Sequence, residues 1–393
     1  MDSKETLEEP KKTNWWLPVG IVVLLVVIIG GLAWWQQAKA PKEPYKIGFV
    51  GAMTGPVAKY GSYEATKLAV DDINNSGGIN GHQIQLIAED GKCDSKAAVD
   101  AMNKLIDVDK VQIVLGGHCT PESLAIAPIA ESKKVLMLAS ITTSPALSAY
   151  TNKGGYVLRT SPVSVTQADI VSDYSYNKLN LKKMAVVYEQ TDYARPIAEK
   201  MRDDFNKLGG NTVVFESYAP GTTDFRTILT KVKAQGADSI YLSAQSPDAA
   251  LNFMQQVKEL GLDNLKLFGN DVASIPANIQ KQPALYEGFM TALPDFDTST
   301  GKPKAFLDEY NAKYNTKELP YGVWTAECYD SVKIIADQIS KNGMDIAKIN
   351  AGLRSLTDYS GVSGTFSIGS NGDGIRHYSA KIVKDGKIET YNP

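Results

Sequence analysis

From residue 47 onward the chain alternates short apolar runs with stretches of 3.6-residue periodicity, and few folds satisfy that alternation. The runs at 47–50, 83–90, 111–116 and 135–138 have strand length. Between them, Ala65, Leu68, Ala69 and Ile73 fall on one helical face that ends at Gly77-Gly78, and Ala98, Met102, Leu105 and Ile106 repeat the scheme. Such βαβα order predicts an α/β fold, a parallel sheet with helices on both faces. A second series follows Arg159, with strands predicted at 184–188, 212–215, 239–242, 265–268 and 288–292 and helices between them, as at 197–208 and 249–260. After Pro294 the pattern turns to helices at 304–314, 322–340 and 345–354. A closing β-hairpin is expected from 364–368 and 377–383 around the turn 370–374. The roughly 350 residues involved exceed what a single core usually holds, so two lobes are expected.

Upstream, residues 15–35 are almost purely apolar, with no charge between Lys12 and Lys39. A run of about 20 such residues spans a hydrocarbon core of about 30 Å as a helix. Trp15-Trp16 and Trp34-Trp35 mark its edges as an aromatic belt does, and Lys11 and Lys12 favour an inside N-terminus. A cleaved signal peptide is the competing reading, because Ala38-Lys39-Ala40 resembles a small-x-small cleavage site. The length of the run, the acidic residues Asp2, Glu5, Glu8 and Glu9, and Pro41 after the cut favour an uncleaved anchor. The expected organisation is a cytoplasmic tail (1–14), an anchor (15–35), a short linker (36–44) and an extracytoplasmic remainder. No cysteine near the run suggests a lipid anchor.

Net charge is −3 with acids and bases well mixed, which argues against a nucleic-acid partner. Cys93 and Cys119 each follow a predicted strand in consecutive βα units, close enough on one sheet edge to bridge in an oxidising compartment. Cys328 sits in a helical apolar pattern and reads as a buried free thiol. There is no G-x-S-x-G elbow, no H-E-x-x-H and no phosphate loop, and His82, His118 and His377 lie far apart. No enzyme activity, metal or cofactor is expected.

After the strand at 47–50, the chain breaks into a loop with Gly51, Gly55 and Pro56. That loop presents the Thr54 hydroxyl and the Tyr60 ring before a helix begins at Gly61. Ligands of open α/β sheets sit outside the carboxyl ends of strands, so this loop reads as one wall of a small-molecule site. With this loop, the segment Asn74-Asn-Ser-Gly-Gly-Ile-Asn-Gly81, the Cys93-Asp94 pair with Cys119, Thr142-Thr-Ser-Pro-Ala-Leu147 and Gly361-Val-Ser-Gly-Thr-Phe366, the chain resembles the branched-chain amino-acid binding proteins of bacterial ABC transporters, the type I periplasmic binding protein family. The resemblance covers residues 45–393.

It implies two doubly wound lobes joined by three crossovers, near Arg159-Thr160, near 292–294 and near Phe366. Lobe one is then 45–159 with 295–365, and lobe two 160–294 with 366–393. It implies an amino acid clamped by hinge closure, with Thr120 and Thr143 on its carboxylate and Asp271 on its ammonium. Asp271 is one methylene shorter than the glutamate often found there. Tyr193 packs on the ligand from lobe two, and Tyr60 and Tyr321 line the side-chain pocket. Gln245 stands where relatives often carry an aromatic residue and Ile141 where smaller residues are common, so the ligand's side chain is left open. The implied role is a monomeric solute-binding subunit that delivers an amino acid to ABC permease subunits. A ligand-sensing subunit acting through a membrane signalling partner is the alternative.

Overall fold

The computed structural model describes residues 42–391. The expected tail, anchor and most of the linker lie outside these residues. Among the described residues no helix is long and apolar enough to cross a membrane.

Two sheets organise the chain. The first contains β1 (Lys42–Gly51), β2 (His82–Asp90), β3 (Ile113–Gly116), β4 (Leu136–Ala139) and β5 (Val157–Arg159), in the order β2-β1-β3-β4-β5. The pairs β1–β3, β3–β4 and β4–β5 are parallel. β3 and β4 are buried at every position, as expected of strands covered on both faces.

The chain then enters the second sheet through β6 (Lys183–Glu189), β7 (Asn211–Tyr218), β8 (Ser239–Ser243), β9 (Lys266–Gly269) and β10 (Met290–Pro294). Their order, β7-β6-β8-β9-β10, repeats that of the first sheet, and their pairings are parallel. In both sheets the winding reverses beside the first strand, between β1 and β3 and between β6 and β8. Open α/β sheets bind ligands at such switch points. The chain is thus an α/β protein of the type I periplasmic binding protein fold, with parallel sheets.

After β10 the chain returns to the first layer. The helix Val323–Asn342 packs against the helix Ser62–Asn75. The closing segment differs from the expected hairpin. β12 (Gly364–Ile368) pairs with β11 (Tyr359–Gly361) and β13 (Gly374–Ile375) in a small antiparallel sheet. β14 (Tyr378–Lys384) pairs with β10 and with β15 (Lys387–Thr390) instead. Phe366 and Ile368 share an apolar cluster with Ile47 and Leu158 of the first layer. The last crossing between layers therefore falls between Ile375 and Tyr378 and not near Phe366.

The cause lies in the 370–374 segment. Asp373 is drawn inward by the Arg159 guanidinium and the Thr151 hydroxyl, so the turn at 370–373, with Ser370 and Asn371 exposed, leads only into the two-residue β13 and not into the strand expected at 377–383. Gly374 is required there, since a Cβ would lie 1.8 Å from the Thr160 carbonyl oxygen. A second hairpin, β14–β15, turns at Asp385-Gly386, both with positive φ (49° and 72°), the backbone that a two-residue hairpin turn demands.

Candidate functional site

Seven of the eight expected ligand residues lie just beyond strand ends, as the two winding patterns place them. Tyr60 closes a 3₁₀ turn (Pro56–Tyr60) after β1. Gly61 follows with φ 69°, and a Cβ there would meet the Tyr310 hydroxyl at 2.4 Å, so only glycine lets the chain turn into the next helix. Thr120 follows β3 and Thr143 follows β4. Tyr193 follows β6, Gln245 follows β8 and Asp271 follows β9. Ile141 shares the β4 loop with Thr143, and Tyr321 alone comes from outside the strand ends, just before the helix Val323–Asn342. All but Gln245, which is half-buried, are buried.

Two of these side chains, Tyr193 and Tyr321, donate to a third, the Asp271 carboxylate, and Tyr60 stacks on Tyr321. Asp271 is 3% exposed. Its Oδ1 accepts from the Tyr193 hydroxyl and from Gln167 Nε2 at 3.1 Å. Its Oδ2 accepts from the Tyr321 hydroxyl at 3.0 Å. The Tyr321 ring lies on the Tyr60 ring, with centroids 4.2 Å apart and planes 24° from parallel. The Tyr60 hydroxyl in turn donates to the Gln245 carbonyl at 2.9 Å. Tyr60 and Tyr321 thus join loops of the first layer to Gln245 and Asp271 of the second. Ile141 belongs to the same apolar cluster as the Tyr60, Tyr193 and Tyr321 rings. Thr120 and Thr143 are buried at the ends of their strands.

Every donor to Asp271 is neutral. Burial pushes its carboxyl pKa up, and the hydrogen bonds from Tyr193, Gln167 and Tyr321 offset this only in part. Burial and the Asp271 charge push the Tyr60, Tyr193 and Tyr321 hydroxyls well above the usual tyrosine range, so they remain donors. A carboxylate held this way lacks a cation, and one bound ammonium would supply it.

The loop that carries Thr120 is fixed from behind. Cys93 and Cys119 form the expected disulfide, with Cα atoms 5.4 Å apart. Glu122 accepts from the backbone N–H groups of Cys93 (2.8 Å), His118 (2.9 Å) and Cys119 (3.1 Å). Burial nevertheless outweighs these donors and pushes the Glu122 carboxyl up to about 7. His118 stacks on Phe49 and donates from Nδ1 to the Val50 carbonyl at 3.0 Å, and burial lowers it to about 4, so it is neutral. Across the cleft, Gln245 Nε2 lies 3.8 Å from Cys93 Sγ, and its buried Oε1 has no hydrogen-bond partner.

Sequence reasoning missed two members. Gln167 embraces Asp271 twice, since it also accepts from the Asp271 backbone N–H at 3.0 Å. Asn270 Nδ2 donates to the Tyr193 hydroxyl at 3.2 Å and to Ala244 O at 2.7 Å. Asn270 adjoins Asp271 and was reachable by adjacency. Gln167 lies 104 residues away and had no local signal. Among the described residues no cluster could hold a metal ion.

Two similarly wound sheets, with a buried, cation-seeking carboxylate beyond the end of β9, mark a two-layer α/β protein with a candidate small-molecule site. Residues 44–387 match the family model described as periplasmic binding protein, and the chain belongs to that family. It is 29% identical over 332 residues to the leucine-, isoleucine-, valine-, threonine- and alanine-binding protein of Pseudomonas aeruginosa, covering 84% of this chain and 86% of that one. It is 31% identical over 290 residues to the Leu/Ile/Val-binding protein of Escherichia coli, covering 72% of this chain and 76% of that one. Among solved structures, it resembles LivJ of Streptococcus pneumoniae, a branched-chain amino acid transporter substrate-binding protein in complex with isoleucine. There the TM-score is 0.79 at 28% identity over 88% of this chain and 98% of the other. A leucine-binding protein of Thermotoga maritima gives a TM-score of 0.78 at 26% identity over 88% and 97%. These relatives are ligand-binding proteins and not enzymes, as is this chain.

Proposed function

We propose that this chain is the extracytoplasmic solute-binding subunit of an ABC importer and that it captures an α-amino acid between its two layers. The observation that carries this reading is Asp271, a buried carboxylate surrounded by three neutral donors and no cation. The ligand ammonium takes the place of one of those donors. Its carboxylate goes to the Thr120 and Thr143 loops, where the N-terminus of the helix Thr120–Lys133 favours negative charge. Tyr60, Tyr193 and Tyr321 enclose the ligand, with Gln245 and Ile141 on the pocket wall. The protein acts as a monomer and releases the unchanged ligand to membrane permease subunits.

Residues 15–35 tether it to the membrane. Intact mass of the protein isolated from membranes tests the tether, and a mature chain beginning near Pro41 removes it from this account.

The experiment for the site is a thermal-shift screen of residues 42–393 against the amino acids. A ligand at 100 times its dissociation constant stabilises the folded form by about 2.7 kcal/mol. A shift with an L-amino acid that Asp271→Ala abolishes supports the assignment. Shifts only with ligands lacking an amino group remove Asp271 from the site.

A further inference from the structure

Beyond Tyr321 the structure holds a second chamber. It is a cavity of about 620 Å³ that begins at Asp271 and Tyr321 and runs outward between Phe296, Leu319, Trp324 and Ile388. Asp271 and Tyr321 line it, whereas Tyr60, Thr120, Thr143, Tyr193 and Gln245 do not, so the Tyr321 side chain stands between the chamber and the rest of the ligand site. That side chain is held by one hydrogen bond to Asp271 and by its stack on Tyr60. Trp324 is buried, and its indole Nε1 has no hydrogen-bond partner.

We propose that the Tyr321 side chain is a gate and that this chamber receives the side chain of the ligand, so that the substrates are α-amino acids with long, largely apolar side chains bearing an acceptor atom near the end. This rests on Asp271 as the ammonium anchor.

Three features set the class. The volume lies within the roughly 300–1,000 Å³ of pockets that enclose drug-sized molecules, far more than a three- or four-carbon side chain fills. The walls mix aliphatic and aromatic side chains (Ile279, Phe296, Leu307, Leu319, Trp324) with charged ones (Asp297, Glu318, Lys381), so they suit an apolar shaft that carries a polar end, and an unfilled stretch of the apolar wall forfeits dispersion contacts. The unpartnered indole N–H offers one buried donor, which a thioether, carbonyl or phenol oxygen on the side chain satisfies. The gate has a trigger as well. A ligand ammonium arriving at Asp271 competes for Oδ2, releases the Tyr321 hydroxyl and leaves the ring held by stacking alone.

The test is isothermal titration of the full chain in detergent with a length series, alanine, valine, norleucine, methionine, phenylalanine and tyrosine, on four proteins. One is the native chain. Ile388→Trp fills the chamber from β15, and Leu307→Trp fills it from the helix Gly301–Tyr314, so that one filling variant remains if the other does not fold. The native chain is expected to bind the long ligands at least about tenfold more tightly than alanine or valine, the scale of discrimination that one or two methylenes produce. Each filling variant should erase that preference and leave the short ligands unchanged. Trp324→Phe should weaken tyrosine and methionine more than norleucine. Equal binding of long and short ligands, or filling variants that leave the preference intact, overturns the chamber and leaves the amino-acid site standing. Failure of every α-amino acid to bind overturns the amino-acid reading, and the chamber with it.

Discussion

The Arg159 Nε donates to Asp373 Oδ1 at 2.8 Å in a side-chain pair that is 0% and 10% exposed. This pair ties the first crossing between the two layers to the third. Arg159 also donates to Ser144 O at 2.7 Å and to Ser148 Oγ at 2.6 Å, and it holds the loop that carries Thr143. Burial lowers the Arg159 pKa and Asp373 raises it again. Asp373→Ala leaves a guanidinium buried without its counter-charge, at a cost of about 3–5 kcal/mol. Urea unfolding should show that loss as a lower midpoint with an unchanged slope. The double change Arg159→Met, Asp373→Leu should recover much of it, because it removes both charges. A double variant as unstable as the single one would mean that the pair's hydrogen bonds, and not its charges, hold the crossing.

Asp271→Asn separates stability from binding. The amide keeps an acceptor for Tyr193 or Tyr321 but carries no charge into the interior. The ligand-free protein should be as stable as the native chain or slightly more so, since burial disfavours the ionised Asp271. Amino-acid affinity should fall by two orders of magnitude or more, because an ammonium loses its only carboxylate, worth several kcal/mol when desolvated. Thermal melts without ligand and calorimetric titration with it give both numbers. Retained affinity would place the ammonium elsewhere.

The Cys93–Cys119 bridge closes a loop of sequence separation 26. In the chain-entropy model such a loop contributes about 3–4 kcal/mol. Replacing both cysteines by alanine should lower the chemical midpoint accordingly. It should also loosen the Thr120 loop, where Glu122 would be the remaining tie between His118, Cys119 and the residue at 93. Slower amide exchange at 118–120 in the double variant than in the native chain would contradict that.

The strand ends were legible because their chemistry is local. Buried-type apolar runs mark β1, β3, β4, β6, β8 and β9, whereas the ligand residues beyond their ends came from the family resemblance and not from that pattern. What stayed hidden depends on residues far apart in the chain. Gln167 reaches Asp271 across 104 residues, and Arg159 reaches Asp373 across 214. The closing hairpin was misread in its second arm for the same reason. The strand 364–368 and the turn at 370–373 form, but Arg159 and Thr151 claim Asp373, β13 ends at Ile375, and the expected second arm pairs with β10 and β15, the latter across the local hairpin signal Asp385-Gly386. The second chamber has no signature in sequence, since its walls come from Ile279, Phe296, Leu319 and Ile388 in four separate segments.

Two buried glutamates give the fold a pH dependence opposite to that of common surface carboxylates. Burial pushes Glu122 up to about 7, and it pushes Glu327 up to about 7 despite the Arg376 guanidinium 3.3 Å away. In the unfolded chain both titrate near about 4.3. Between these values the folded chain binds more protons than the unfolded one, so these groups stabilise fully below about pH 4.3 and lose that contribution as pH rises to 7. Asp295 works the other way, being lowered to about 2 mainly by its hydrogen bonds to Lys381, Ser379 and His377. Its contribution is complete above the ordinary aspartate range and is lost only as pH falls towards 2. Neutral His118, lowered to about 4, works against one glutamate up to the ordinary histidine value of about 6.5, and between pH 5 and 7 the two glutamates outweigh it. The unfolding free energy should therefore decline there, by up to about 1.4 kcal/mol per pH unit for each glutamate that His118 does not offset. Urea titrations at pH 5, 6, 7 and 8 measure the slope. Glu122→Gln should flatten it by one group's share, while slopes that stay parallel in the native and variant chains would mean that Glu122 is ionised throughout.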